Sequence, residues 1–352
     1  MKIVDRRLCI APMLEYTDRY YRSFIRHITL HTLNFTEMIP SQAIHYNYER
    51  TAELLISQPI QSPCALQWGG SDPAILASAT QRALDYNYAE FNLNVGCPSP
   101  RVAANNFGAC LMTQPDLVAE CLRKMAEVAG EIPVSIKHRI AVTGLEGYDN
   151  LVEFVSKISE DSGCKVFYVH GRKAVLEPGW TPKDNRSIPP LKPEEVYTLK
   201  KDFPDLEIIY NGGVKTLNEA KKHLEHVDGV MIGRAAYDTP YELAYADSMI
   251  FDDNHPIPSR YDVAMGFAAE ADLLTERFST KAGNVTKHLA GLYNAVPGGN
   301  RFDKFLGANQ FNGQKASETI RGAVFAVEKY LEEVRDHPRF AEKINKALQI
   351  EQ

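Results

Sequence analysis

The sequence predicts an α/β chain: a (β/α)8 TIM barrel followed by a small all-helical C-terminal domain. Three observations carry this. Up to residue 252, short apolar runs alternate with amphipathic stretches of helical period. Polar residues gather at the C-terminal ends of the runs, where such barrels build their active sites. Past Asp252 the alternation stops and only helical patterns remain.

The runs 8–12, 33–37, 64–68, 89–94, 133–138, 166–170, 207–211 and 228–232 read as strands. Helical patterns between them include 73–87, 115–129, 149–162 and 216–225. Ser71-Asp72-Pro73 and Thr113-Gln114-Pro115 each set a polar residue just before proline, which suits a helix start. An open doubly wound sheet is the alternative. Eight βα units in about 250 residues, with polar groups at all eight strand ends, favour the closed barrel. Asp253-Asn-His-Pro-Ile-Pro-Ser259 reads as a linker. Beyond it, 260–277, 316–334 and 338–348 read as helices. The expected domains are 1–252, catalytic, and 257–352, helical.

Composition excludes other classes. Of 352 residues 44% are hydrophobic, too many for a disordered chain, and 22 Gly and 20 Pro fall without a collagen period. No apolar run approaches the ~20 residues of a membrane span, and the N-terminus lacks a signal-peptide pattern. The expected compartment is the cytoplasm. A net charge of -6 argues against holding nucleic acid by global charge, though not against a local basic track. The six cysteines show no CxxC and no zinc spacing, so free thiols and no metal are expected.

The most informative segment is Phe91-Asn-Leu-Asn-Val-Gly-Cys-Pro-Ser-Pro100, followed by Gly108-Ala109. A strand ends at Asn94, and Gly96 and Pro98 force a turn that presents Cys97. A lone cysteine is more often a buried structural residue. The flanking asparagines tip the balance toward chemistry. A thiol can serve as nucleophile, which needs an activating base, or as general acid, which needs only its ordinary pKa of about 8.5. The segment alone does not choose.

Tyr210-Asn-Gly-Gly-Val214 and Met231-Ile-Gly-Arg-Ala235 end the last two strands. Glycines there let backbone N–H groups approach a phosphate, with a helix N-terminus and Arg234 adding positive potential. No GxGxxG is present, so the phosphate belongs to a mononucleotide-like group. Lys137 ends strand five. A lysine at a barrel mouth is costly unless it meets an anion, which the N1/O2 edge of a reduced flavin supplies. His170 ends strand six, and Gln67 can hydrogen-bond the edge of a flat ring.

Ala11-Pro12-Met13 with Thr17-Asp18-Arg19, Thr36-Glu37-Met38, Gln67, Asn94-Val-Gly-Cys97-Pro, Lys137-His-Arg139, His170-Gly-Arg172, Asn211-Gly212-Gly213 and Gly233-Arg234 together resemble the tRNA-dihydrouridine synthases. The run from Arg172 to Leu191 resembles their bacterial A subfamily, which acts on D-loop uridines 20 and 20a. The resemblance implies an FMN enzyme that reduces the C5–C6 bond of uracil in tRNA, with NADPH, or alternatively NADH, restoring the flavin. It places FMN against Pro12, Met13, Gln67, Lys137 and His170, with its phosphate on Asn211, Gly212, Gly213, Gly233 and Arg234. Hydride passes from flavin N5 to uracil C6, and Cys97 protonates C5. Asn94 and Arg139 contact the uracil.

The implied partner is tRNA, gripped by a monomer with no membrane involved. Residues 277–304 hold Arg277, Lys281, Lys287, Arg301 and Lys304 against the single carboxylate Asp303, with His288 and Tyr293 interleaved. Lys183 and Arg186 lie in the long loop after strand six. Lys183, Arg186, Arg301 and Lys304 match the subfamily's tRNA-binding positions. Lys304 stands where arginine is typical and cannot form the same bidentate phosphate fork. A small-molecule FMN oxidoreductase of the dihydroorotate-dehydrogenase or ene-reductase type shares the glycine turns but leaves the basic helical region unexplained. A non-catalytic RNA-binding module on a decayed barrel conflicts with the intact set Cys97, Lys137 and His170.

Overall fold

The structure is a computed structural model that describes residues 4–56, 59–310 and 312–335, together with 337 and 340. Apart from 340, the expected helix at 338–348 lies outside the described residues. The eight expected strands form: β1 Leu8–Ile10, β2 Asn34–Pro40, β3 Cys64–Gly69, β4 Glu90–Val95, β5 Val134–Arg139, β6 Val166–His170, β7 Glu207–Asn211 and β8 Gly229–Ile232. All pair in parallel, in the order β1-β8-β7-β6-β5-β4-β3-β2. A parallel bridge from Cys9 to Leu33 joins the two ends of the series, with Ile10 N–H donating to the Leu33 carbonyl at 2.9 Å. The ring is thereby closed, and the open doubly wound alternative falls.

Proline and capping chemistry start the flanking helices. Asp72 Oδ1 accepts from the N–H groups of Ala74 and Ile75, and helix Pro73–Ala83 follows. Helix Pro115–Ala129 also starts at proline, but its expected polar cap does not form. Gln114 makes no capping bond, and the Thr113 hydroxyl donates instead to the Cys110 carbonyl at 2.8 Å. Helices Tyr148–Ser162 and Leu217–Leu224 fall within a residue of their expected positions.

Strand period decides what the barrel contains. Cys9 and Ala11, Phe35, Ala65, Val166 and Tyr168, Ile209 and Met231 share one core cluster, so alternate residues of β1, β2, β3, β6, β7 and β8 point inward. The same parity sends Glu90, Asn92 and Asn94 of β4 inward, beside Ser135 of β5 and Gln67 of β3. A register shift in β2 between Phe35 and Met38 aligns Met38, rather than Glu37, with Gln67. At the floor, Arg6 donates through Nε to Glu90 Oε2 at 2.6 Å and through Nη1 to Glu207 Oε2 at 2.9 Å. Burial works against the charge of Arg6, but Glu90, Tyr168 and Glu207 outweigh it and raise its pKa.

Compactness does not divide the chain at the expected 252/257 boundary. One unit comprises the residues up to Glu15 together with Thr32–Gly233; the other comprises Tyr16–His31 together with the chain from Arg234 onward. Within the second unit, Phe24 packs edge-on to Phe267 of helix Arg260–Arg277, with centroids 5.5 Å apart. His27 Nε2 meets Glu270 at 3.1 Å, and Asp247 accepts from Thr29 Oγ1 and Leu30 N–H, each at 2.6 Å. These contacts draw residues 16–31 out of the barrel sequence and into the helical unit.

Removing Arg6 as Arg6→Met leaves Glu90 fully buried, and Glu207 half-buried, without their cation. Denaturant unfolding should show a loss of about 3–5 kcal/mol, against about 1 kcal/mol for Asp72→Ala, which deletes only a helix cap.

Candidate active site

The last inward position of nearly every strand carries a polar side chain or a glycine. In register, Asn94 stands opposite Lys137, Arg139 opposite His170, and His170 opposite Asn211. Gln67 pairs with Asn92 one level below Asn94. The expected residues Gln67, Asn94, Lys137, Arg139, His170 and Asn211 therefore meet along adjacent strand ends of β3 to β7.

Cys97 is held by a built turn. Asn94 Oδ1 accepts from Gly96 N–H at 3.2 Å and from Cys97 N–H at 3.0 Å. The Cys97 carbonyl accepts from Ala109 N–H at 2.9 Å. Gly108 has φ +81°, and a Cβ there would lie 2.6 Å from the Cys97 carbonyl oxygen. The Gly108-Ala109 step is thus a clamp on the turn that only glycine permits.

Arg139 staples the same turn. Its Nε donates to the Gly96 carbonyl at 2.9 Å, and its Nη1 to the carbonyls of Lys173 and Asn185, both at 3.1 Å. Among the described residues its Nη2 has no partner, so one edge of the guanidinium is left for a ligand. Burial lowers Arg139 to about 10, with Arg186 and Arg172 adding repulsion, so it stays charged at neutral pH.

Lys137 has no hydrogen-bond or ion-pair partner among the described residues. Burial, helped by Arg139, brings its ammonium down to about 8. The Cys97 turn is tied to both cations' strand: Arg139 Nε holds the Gly96 carbonyl, and Asn94, opposite Lys137 in register, accepts from Cys97 N–H. Burial, with Arg139, Lys137 and Arg172, pushes His170 well below the ordinary imidazole range. The ring is neutral, and its Nδ1 accepts from Arg172 N–H at 3.2 Å, which leaves the proton on Nε2 as a donor.

At the end of β7, Asn211 Nδ2 donates to the Met231 carbonyl at 2.8 Å. Gly212 and Gly213 follow with φ of +130° and +76°, and a Cβ on Gly213 would strike Leu191 at 2.6 Å. Gly233 is uncrowded: a Cβ there would meet Ala11 at 3.9 Å and Met13 at 4.0 Å, both ordinary contact distances. Arg234 opens the five-residue helix Arg234–Asp238 and belongs to the second unit.

The profile of the dihydrouridine synthase (Dus) family matches residues 9–329. The chain belongs to the dihydrouridine synthase family. It is 47% identical over 291 residues to a tRNA-dihydrouridine(20/20a) synthase of Synechocystis sp., covering 82% of this chain and 85% of that one. It is 43% identical over 327 residues to the tRNA-dihydrouridine(20/20a) synthase of Vibrio parahaemolyticus, covering 92% and 98%. Among solved structures, a 2-naphthoyl-CoA reductase complex aligns with a TM-score of 0.53 at 8% identity, covering 68% of this chain and about half (49%) of that one. That likeness bears on the barrel fold alone.

The dihydrouridine synthase site fits a flat, partly anionic flavin on three counts. Among the described residues Lys137 is a cation without a counter-ion, Asn94 keeps one amide N–H beyond its bond to Gln67, and nothing crowds the side of Gly233 more closely than Ala11 and Met13. Among the described residues no His, Cys, Asp and Glu cluster could hold a metal, and no helix is long and apolar enough to cross a membrane.

The basic residues are distributed differently from the expectation in part. Lys183 and Arg186 are exposed on either side of Asn185, which is buried and exchanges hydrogen bonds with Val175. In the helical unit, Arg301 and Lys304 lie on helix Gly299–Asn309 and border a cavity of about 520 Å³ with Gly298, Asn300 and Tyr330. The Arg301 guanidinium sits 4.3 Å from the Tyr330 ring centroid. His288 and Tyr293, expected to interleave with the basic track, are core residues. His288 is fully buried on Asp18 at 3.0 Å, and Tyr293 packs on Phe302.

Sequence reading missed Arg6, Glu90 and Ser135. The available signal was period two: Glu90, Asn92 and Asn94 are polar at alternate positions of an otherwise apolar run.

The lowered Lys137 fixes a pH dependence. Between about 8 and its ordinary 10.5 the unfolded chain holds the proton more tightly than the folded one, so Lys137 destabilises fully below pH 8 and ceases to do so above 10.5. Lys137→Met should therefore raise the stability of flavin-free protein by about 3 kcal/mol at pH 7, and the gain over wild type should vanish by pH 10.5. Thermal melts across that range check it.

Proposed function

We propose that the chain reduces the C5–C6 double bond of uridines 20 and 20a in the tRNA D-loop to 5,6-dihydrouridine, using FMN and NADPH. The observation that carries this is the Cys97 turn, held beside Lys137 and Asn94 in one barrel mouth, in a chain up to 47% identical to tRNA-dihydrouridine(20/20a) synthases. Bound FMN supplies the hydride that reaches uracil C6.

The protein's own groups do the rest. Pro12, Met13 and Gln67 line the ring, and Lys137 holds its negative edge. His170 donates from Nε2, and Asn211, Gly212, Gly213, Gly233 and Arg234 take the phosphate. Asn94 and the free Nη2 of Arg139 orient the uracil. With its oxygen filled by two backbone N–H groups, Asn94 offers the base a donor. Cys97 Sγ gives its proton to C5, which completes addition of hydride and proton across the double bond. NADPH becomes NADP⁺.

A base in folded RNA reaches such a mouth only when extruded from its stack. Lys183 and Arg186 supply phosphate contacts from the β6 loop, and Arg301 and Lys304 from the helical unit of the monomer.

Cys97→Ala should bind FMN and accept electrons from NADPH as wild type does, yet lose at least a hundredfold in dihydrouridine formation on unmodified tRNA. Nucleoside analysis of tRNA, mapped to positions 20 and 20a, reads this. Undiminished turnover removes Cys97 as the acid. Arg301→Ala with Lys304→Ala should weaken tRNA binding and lower the slope of log K against log salt by about 1–2, with an unchanged flavin spectrum.

A further inference from the structure

A single hydrogen-bonded series climbs the inside of the barrel from its floor to the Cys97 turn. Glu90 accepts on both carboxylate oxygens, from Arg6 Nε at 2.6 Å and from Ser135 Oγ. Ser135 Oγ in turn accepts from Asn92 Nδ2 at 2.7 Å. Asn92 Oδ1 accepts from Gln67 Nε2 at 2.8 Å, and Gln67 Oε1 accepts from Asn94 Nδ2 at 2.8 Å. Asn94 Oδ1 then caps the N–H groups of Gly96 and Cys97. Glu90, Asn92 and Ser135 are fully buried, and Gln67 is 1% exposed, so water does not interrupt the series.

We propose that Glu90, acting through Ser135, Asn92 and Gln67, is the positioning residue that sets the orientation of Asn94 and thereby the Cys97 turn. A carboxylate can only accept. Ser135 must then spend its one proton on Glu90 and accept from Asn92. This turns the Asn92 oxygen toward Gln67, the Gln67 oxygen toward Asn94, and the Asn94 oxygen toward the turn. Each amide could face either way in isolation; the charge at the floor selects one direction for all three.

The isosteric change Glu90→Gln reverses the series. The new amide oxygen stays on Arg6 Nε, because an NH₂ there would face another donor. Its NH₂ faces Ser135, which then donates toward Asn92. Every amide above flips, and Asn94 meets the Gly96 and Cys97 N–H groups with its own NH₂. The turn loses its cap. Glu207→Gln is the control, since it also removes a carboxylate from Arg6 but lies outside the series.

The inference deepens the proposed role of Cys97, but its first readout does not depend on any reaction. In the intact full-length protein, iodoacetamide labelling at Cys97 and at buried Cys121 is followed by peptide mass spectrometry. Glu90→Gln should raise the Cys97 rate about fivefold, the effect of losing one cap's hydrogen bonding, with Cys121 unchanged. Glu207→Gln should leave both rates at wild type. Asn94→Ala should match Glu90→Gln, and the double variant should show no further increase. Ser135→Ala cuts the series and serves if Glu90→Gln does not fold. An unchanged Cys97 rate in the folded variant, multiplied effects in the double variant, or an equal effect from Glu207→Gln overturns the proposal. On tRNA, kcat should fall at least about tenfold, as for a displaced reacting group. Labelling that shifts as expected in a protein whose wild type forms no dihydrouridine sustains the positioning and refutes the proposed function instead.

Discussion

The carboxylate of Glu90 is sealed beneath a ring of eight strands, and everything above it adjusts to that charge. Burying an anion is expensive unless cations and donors surround it. Arg6 and Ser135 meet that need from two sides, and Ser135 passes the constraint upward. A polar column therefore replaces the aliphatic filling that a barrel of this kind usually carries on one side, while Phe35, Tyr168, Ile209 and Met231 keep the other side apolar.

The mouth is arranged on the opposite principle. Among the described residues Lys137 is left without a partner, and His170 is held neutral by burial and neighbouring cations. Such groups weaken the protein alone, a cost that the proposed flavin and uracil would offset. The positive field of Lys137, Arg139, Arg172 and Arg186 is local, which reconciles a chain of net charge -6 with an anionic partner.

Much of this was legible along the chain. Strand parity and the punctuation of Gly and Pro located all eight strands to within a few residues, and β6 and β7 at the same ends. The asparagine–cysteine segment and Gly108-Ala109 stood out as loop chemistry, and the clamp from Ala109 N–H to the Cys97 carbonyl explains why they belong together. Asp72 was readable as a cap because capping acts over three residues. Gln114 was not, because proline had already started that helix without it. His288 and Tyr293 looked like part of a basic surface because linear spacing carries no information about which face packs inward.

Local patterning alone therefore determined the barrel, the helical region after it, and the identity of the residues at the strand ends, since backbone period and turn chemistry are short-range. Tertiary structure decided the rest. Residues 16–31 joined the helical unit because Phe24, His27 and Thr29 find partners more than two hundred positions away. Glu90 acquired its meaning only when Arg6, Ser135 and Gln67 were brought beside β4. The direction of a hydrogen bond depends on both partners, and a one-dimensional sequence names only one of them at a time.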